Sequence, residues 1–189
     1  TGRPCGNRIL SVARTGGPVD TLVEFVDNVT WVTSLAVGPE GVCFSWYEDT
    51  TGRFASYLGL IPLAGGPVDT LRAVTGSIAD GPVLGPVALN EGSVVYLVAA
   101  DSSGGSQVRR YDIAARTDVL LSVKGAPGVS TERDPLSVVD DVVYWGEREQ
   151  GRIGAVGLDG SNPRYLLDTG GPATGIKLMV AAPGLGGSG

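Results

Sequence analysis

Short apolar runs alternate with polar residues along most of the chain, and Gly, Asp and Pro interrupt them every few residues. A period of two indicates strands with one buried face, and clusters of turn residues indicate tight connections between strands. Helical periodicity is weak, and the one stretch that favours a helix, 112–116, is too short to form one. The pattern predicts an all-β fold, with its clearest strands at 32–37, 42–47, 54–63 and 70–74.

One motif recurs along the chain at a nearly constant interval. The sequence Gly-Gly-Pro-Val-Asp-Thr-Leu occurs at 16–22 and again at 65–71, so its leucines lie 49 residues apart. A looser copy places Leu120 another 49 residues on, and a fourth places Leu166 a further 46 residues on. Self-similarity at a fixed period is the mark of repeat architectures. The chain therefore contains a repeat of about 48 residues.

A second element repeats in phase with the first. Val-Cys-Phe at 42–44, Val-Val-Tyr at 94–96 and Val-Val-Tyr at 142–144 each follow a turn, with aromatic spacings of 52 and 48 residues. Each unit has room for four short strands, and four-stranded units of roughly 40–50 residues are typical of propeller blades. The predicted fold is an all-β propeller, or a propeller fragment, with about four blades of four antiparallel strands.

The repeat also predicts how the chain is organised. We expect residues 1–183 to form a single propeller domain with three complete blades and a partial first and last blade, and residues 184–189 to form a flexible tail. In this interpretation the first blade is expected to lack its first two strands, while 175–180 has the pattern of another first strand. Two interpretations remain open. Either the terminal strands share one blade and close a ring, or the chain is a fragment that another chain completes.

One copy of the repeat matches a known pattern. Val-Tyr-Trp-Gly-Glu at 143–147 is followed by Gly-Arg-Ile at 151–153 and Leu-Asp-Gly-Ser-Asn-Pro-Arg at 158–164. These segments resemble the YWTD repeat of the low-density-lipoprotein-receptor class of propellers, with Gly146 and Glu147 in place of Thr and Asp. The chain is also similar to bacterial propellers that carry Gly-Gly turns before each outer strand. The resemblance implies an extracellular module that acts in protein interactions.

Composition removes several classes of function from consideration. A net charge of −6 disfavours binding to phosphate backbones, so no nucleic-acid partner is expected. No apolar run is long enough for a membrane helix, so no membrane insertion is expected. The chain has no His, which removes the commonest general base and metal ligand; we expect no catalytic residue, metal or cofactor. Cys5 and Cys43 form either one disulfide or two buried thiols.

Five residues are candidates for a binding site. The acids Asp49, Asp101 and Glu149 recur where the second strand ends, and they either ring one face or stabilise the hairpin turns. Trp46 and Trp145 are either exposed anchors for a partner or packing residues between blades, and the same two alternatives apply to Tyr47, which follows Trp46.

The predicted function is that of a non-enzymatic module for protein binding or assembly, located outside the cell or on its surface. Its partner is another protein or further copies of itself. The alternative is a lyase or hydrolase that uses the central funnel of the propeller, since one fold can host several functions.

Overall fold

The computed structural model describes residues 7–13, 15–25, 30–50, 53–76, 83–99, 106–124, 134–147 and 150–171. These residues contain no helix that could span a membrane. They form fourteen strands: β1 Asn7–Val12, β2 Val19–Phe25, β3 Thr30–Gly38, β4 Gly41–Thr50, β5 Arg53–Ile61, β6 Asp69–Gly76, β7 Val83–Asn90, β8 Ser93–Ala99, β9 Ser106–Asp112, β10 Thr117–Lys124, β11 Leu136–Val139, β12 Val142–Glu147, β13 Arg152–Gly157 and β14 Arg164–Asp168.

The strands form four antiparallel sheets in chain order. Sheet A contains β1 and β2, sheet B contains β3 to β6, sheet C contains β7 to β10, and sheet D contains β11 to β14. The first strands of sheets B, C and D lie side by side, with β3 against β7 and β7 against β11. The predicted all-β fold built from four-stranded units is confirmed. The segment 175–180 and the tail 184–189 lie outside the described residues, so the predicted domain limits stay predictions.

The last two strands of each sheet pair across the same β-bulge, at which one residue of the last strand has no partner opposite it. Leu120 was predicted as one of the repeated leucines, and that assignment was wrong by one residue. Leu120 pairs with Arg109 and is 45% exposed, whereas the bulge residue Leu121 is 6% exposed. The unpaired residue is a leucine in all four sheets: Leu22, Leu71, Leu121 and Leu166.

The second repeated element needs a similar correction in sheet D. A two-residue turn closes each of the hairpins β3–β4, β7–β8 and β11–β12, and the aromatic residue follows three positions after the closing pair. By this count the third aromatic is Trp145 and not Tyr144. Trp145 is 2% exposed, as deeply buried as Phe44 and Tyr96, whereas Tyr144 is only half-buried. The position of the hairpin turn therefore determines which aromatic residues are equivalent, and the spacing along the sequence was one residue off in sheet D.

The two Gly-Gly-Pro motifs form the same turn. Gly16 and Gly17 have φ angles of 83° and 135°, and Gly65 and Gly66 have nearly the same angles, 78° and 133°. Positive φ angles of this size are readily adopted only by glycine. The repeated heptapeptide thus specifies one backbone conformation, which joins the last two strands of sheets A and B.

The sheets pack face to face, and each contact holds its own hydrophobic cluster. The cluster between sheets B and C includes Cys43, Leu71 and Tyr96. The cluster between sheets C and D includes Leu121 and Trp145. A third cluster lies between sheets A and B, and it includes Ile9, Phe44 and Trp46 with Leu22 and Phe25 packed against it.

Three serine hydroxyls of sheet B also hold the irregular strand β7. Ser45 Oγ donates to the carbonyl oxygen of Gly85 at 2.9 Å. Ser56 Oγ accepts from Leu84 N at 3.0 Å, and Ser34 Oγ accepts from Val87 N at 3.1 Å. These backbone groups flank the register shift between Leu84 and Val87, so side chains supply hydrogen bonds that a regular ladder would make.

The buried thiol of Cys43 gives the protein a pH dependence. Cys43 is a free cysteine, and burial raises its pKa from 9.0 to about 12. Between these pH values the unfolded chain loses the thiol proton while the folded chain keeps it, so stability falls as the pH rises. Burial also raises the pKa of Tyr96, from 10.0 to about 12, which acts in the same direction.

We therefore expect the free energy of unfolding to decrease between pH 9 and about 12, and to decrease less steeply in the Cys43→Ala variant. The variant removes the thiol titration while it leaves that of Tyr96 in place. Urea unfolding at a series of pH values measures both slopes. Equal slopes for the variant and the original protein would contradict the assignment to Cys43.

Candidate functional site

Three aromatic rings from neighbouring strands form a stack at one end of sheet B, which we call the aromatic ladder: Trp31 on β3, Tyr47 on β4 and Phe54 on β5. Trp31 and Tyr47 are direct cross-strand partners, with ring centroids 5.1 Å apart and planes inclined at 24°. The centroids of Tyr47 and Phe54 are also 5.1 Å apart. Trp31 is 39% exposed, so the sheet holds an aromatic surface open to solvent.

Strand β3, an edge strand of sheet B, exposes apolar side chains on its other face as well. Leu35 is 47% exposed and Val37 is 63% exposed. They pair with Phe44 and Val42, which lie in the cluster between sheets A and B. The two described strands of sheet A cover these partners but leave Leu35 and Val37 open to solvent. β3 therefore carries accessible apolar surface on both faces.

The three predicted acidic candidates do not form a described site. Asp49 is in β4, opposite Phe54, but its side chain lies outside the described atoms. Asp101 and Glu149 lie outside the described residues altogether. Within the part of the chain that the structure describes, no group of three or more His, Cys, Asp and Glu could hold a metal ion. A ring of these three acids thus stays a prediction.

Trp46 lies inside the cluster between sheets A and B, and it is 5% exposed. Its ring stacks on Tyr57, with centroids 4.9 Å apart, and contacts Phe44 and Phe25 at 5.1 and 5.7 Å. In this position Trp46 packs two sheets together, which is the packing role that the sequence offered as one alternative. A binding role for it stays a prediction.

Trp145 is 2% exposed in the cluster between sheets C and D. Its indole nitrogen donates to Glu147 Oε1 at 3.0 Å, and the hydroxyl of Tyr165 donates to the same oxygen at 3.2 Å. Glu147 is itself 1% exposed. A buried carboxylate is stabilised by such donors, so Glu147 ties strand β12 to strand β14. Sequence reasoning noted Glu147 only as a departure from the YWTD pattern and missed this role.

An open cleft of about 590 Å³ lies beside the turns β11–β12 and β13–β14. Two of its charged groups, Arg110 and Asp159, hydrogen-bond to backbone groups of the β13–β14 turn. Arg110 donates to the carbonyl oxygen of Leu158 at 2.8 Å, and Asp159 accepts from Ser161 N at 2.8 Å. The hydrogen bonds from Ser161 lower the pKa of Asp159, so this carboxylate is not a proton donor near neutral pH. Arg110 and Asp159 thus hold the conformation of the turns beside the cleft.

Comparison with known proteins supports the architecture. No protein-family model and no curated protein matches the chain. Among solved structures, a chain from the crystal structure of a nidogen/laminin complex matches with a TM-score of 0.56 over 85% of this chain, at 15% sequence identity. The chain has a β-propeller-type fold. It spans 57% of the length of the nidogen/laminin chain that it matches, and identity this low shows the fold alone.

Sheets A to D correspond to blades of this fold, and we call them blades A to D. The aromatic ladder follows blade B from its first strand, which lies against blade C, through its second and third strands. The ladder occupies one face of blade B, whereas the exposed Leu35 and Val37 lie on the opposite face of β3. The aromatic ladder is the candidate functional site.

Proposed function

We propose that this propeller is a non-enzymatic module for protein binding or assembly, and that a partner protein binds at the aromatic ladder. The observation that carries the proposal is the exposed Trp31 ring, held by Tyr47 and Phe54 on three paired strands. Binding hot spots are enriched in Trp and Tyr, because large rigid rings bury much area at a low cost in conformational entropy.

The surroundings of the ladder favour a protein partner over a small charged ligand. The three rings of the ladder carry no charge, and β3 also exposes Leu35 and Val37 on its opposite face. Exposed aromatic and apolar surface is typical of sites that another protein covers. The similarity to a chain of a nidogen/laminin complex, itself an assembly of proteins, supports the same proposal. We place the module outside the cell or on its surface, as the YWTD resemblance implies.

Substitution of Trp31 tests the proposal. We expect a partner captured from the secreted and surface fractions of the source cells to be enriched on the original protein and lost on Trp31→Ala. With that partner purified, truncation of an anchor ring should weaken binding by about 2 kcal/mol, or roughly 30-fold, as measured by calorimetry.

Leu63→Ala is the matched control, because Leu63 is also exposed but lies in the turn between β5 and β6. Thermal unfolding of both variants checks that the fold is retained. An unchanged set of partners on Trp31→Ala would overturn the proposal. Recovery of the partner only from the cytosolic fraction would contradict the location.

A further inference from the structure

The last strand of blade C, β10, lies at the outer edge of its sheet. Among the described residues, β9 is the only strand that pairs with it. Blades B and D pack against the two faces of blade C, so this edge is not an end of the described chain. The open side of an edge strand presents backbone N–H and C=O groups without ladder partners, and these groups are a template for another strand.

Three exposed positions of β10 differ in chemistry from those of the other blades. Counted from the bulge leucine, they lie two residues before it, one before it and two after it. Blades A, B and D each carry charges at one or two of these positions: Asp20 and Glu24 in A, Asp69 in B, Arg164 and Asp168 in D. In blade C all three are aliphatic, with Val119 41%, Leu120 45% and Val123 58% exposed. Charges on an edge strand oppose pairing with another chain, and blade C has none at these positions.

At the last of these positions, blades A and D form the same cross-strand ion pair: Arg8 with Glu24, and Arg152 with Asp168. The corresponding partners in blade C are Gln107 and Val123. Blade C thus has neither charge of this pair, and an apolar side chain lies at its open edge.

The bulge places Leu120 and Val123 on the same face of the sheet. Their partners on β9 are Arg109 and Gln107, which are two residues apart and therefore point to one face. Arg109 Nη1 also donates to Gln107 Oε1 at 2.7 Å, as neighbours on one face do. When two β10 strands pair antiparallel about a two-fold axis between Leu121 and Ser122, Leu120 of each copy lies opposite Val123 of the other. The strand is therefore complementary to itself.

We propose that two copies of this chain form a two-fold dimer, in which their β10 strands pair antiparallel and join the two blades C into one continuous sheet. Leu120 and Val123 form two apolar cross-strand pairs across the axis, and such pairs stabilise a β-ladder. Because the same surface of each copy meets the other, the interface is isologous and closes at two copies. The dimer surface is on blade C, apart from the aromatic ladder on blade B, so both surfaces are available in one molecule.

Copying the ion pair of blades A and D into blade C tests the proposal on the intact chain. We expect the original protein to dimerise with increasing concentration in sedimentation equilibrium. The double variant Gln107→Arg/Val123→Glu should raise the dissociation constant roughly tenfold or more, because dimerisation would then place a charge opposite Leu120. Leu63→Glu is the matched control: it adds the same charge to an exposed leucine in the turn between β5 and β6, so it should dimerise like the original protein.

A cysteine pair tests the register. A mixture of the single variants Leu120→Cys and Val123→Cys should form a disulfide between copies, because directly opposed residues have Cα atoms about 4.5–5.5 Å apart, within reach of a disulfide. Leu120→Cys alone should form little, since its two copies are offset by three residues, or about 10 Å, along the ladder. Both variants carry Cys5→Ser, and Cys43 is buried.

Three results would overturn the proposal. They are an original protein that stays monomeric at all accessible concentrations, a double variant that dimerises as tightly as the original, and a cysteine mixture that crosslinks no better than either variant alone. Circular dichroism checks the folding of each variant. Partner binding at Trp31 is measured separately, so each of these results leaves the proposed function open to its own test.

Discussion

Replacing Gly154 with alanine is expected to destabilise the protein by about 3 kcal/mol, at the upper end of the usual cost of overpacking a core. Gly154 lies directly opposite Trp145 in the pairing of β13 with β12. A Cβ atom on Gly154 would overlap Cε2 and Cζ2 of the Trp145 indole. The added methyl group therefore requires either the ring or the strand to move.

Neither movement is easy in this part of blade D. The indole of Trp145 is buried between blades C and D, and its nitrogen is held by Glu147 at 3.0 Å. Blade B repeats the arrangement: a Cβ atom on Gly59 would lie 2.6 Å from Cζ3 of Trp46. Both glycines lie in the third strand of their sheet, beside the point where the fourth strand has its bulge. Their role is to leave room for an indole, and alanine removes that room.

Urea unfolding measures the loss, and Gly171→Ala is the matched control. A Cβ atom on Gly171 would have no atom within 4 Å, so that variant should be as stable as the original protein. If Gly154→Ala and Gly171→Ala unfold at the same urea concentration, then the indole is not fixed over Gly154. A fluorescence spectrum of Gly154→Ala should also report a more exposed indole.

Replacing Asp118 with alanine is expected to cost about 3 kcal/mol of stability, the usual penalty for breaking a largely buried ion pair by removal of one partner. The carboxylate of Asp118 pairs with Arg72 of blade B and accepts from Arg109 Nε at 3.1 Å. It also accepts from the hydroxyl of Tyr96 at 2.8 Å. One side chain thus satisfies two cations and a buried hydroxyl at the contact between blades B and C.

The loss should come mainly from the groups that Asp118 leaves behind. The side chain of Arg109 is 18% exposed and that of Arg72 is 28% exposed, so water cannot fully replace the carboxylate. Asp118→Asn should lose less, because the amide oxygen still accepts a hydrogen bond. Urea unfolding in low and high salt should give nearly the same loss for Asp118→Ala, since buried charges are screened little.

A second ion pair between the same two blades provides the control. Asp69 and Arg116 are paired at 2.6 Å, but their side chains are 45% and 56% exposed. Surface pairs of this kind contribute little, so Asp69→Ala should unfold at nearly the same urea concentration as the original protein. Equal losses for Asp69→Ala and Asp118→Ala would contradict the dominant role of burial.

Much of the fold was predictable, because strands and turns depend on neighbouring residues. The strand predicted at 32–37 is β3 at Thr30–Gly38, and the strand predicted at 70–74 is β6 at Asp69–Gly76. Alternating apolar residues and Gly-rich turns are local signals, so they survive in the folded protein. The length of the repeat also predicted units of four strands. The similarity to a propeller chain confirms this architecture.

The candidate site was less predictable. Sequence reasoning selected Trp46 and Trp145 because tryptophan is a common anchor, and the structure buries both. It did not select Trp31, which is the exposed tryptophan of the three. A period of two shows that a strand has two different faces, but it does not show which face another sheet covers. Coverage depends on the packing of whole blades, which is a tertiary property.

The sequence by itself determined the repeat, the strands and the conformation of the Gly-Gly-Pro turns, since each depends on residues a few positions apart. Only the tertiary structure decided that Leu121 and Trp145 are the repeated core residues, because cross-strand pairing sets the register and spacing along the chain does not. It also decided that Leu166 is exposed while Leu71 is buried. The same residue type in the same motif differs here because a neighbouring blade covers one leucine and none of the described residues covers the other.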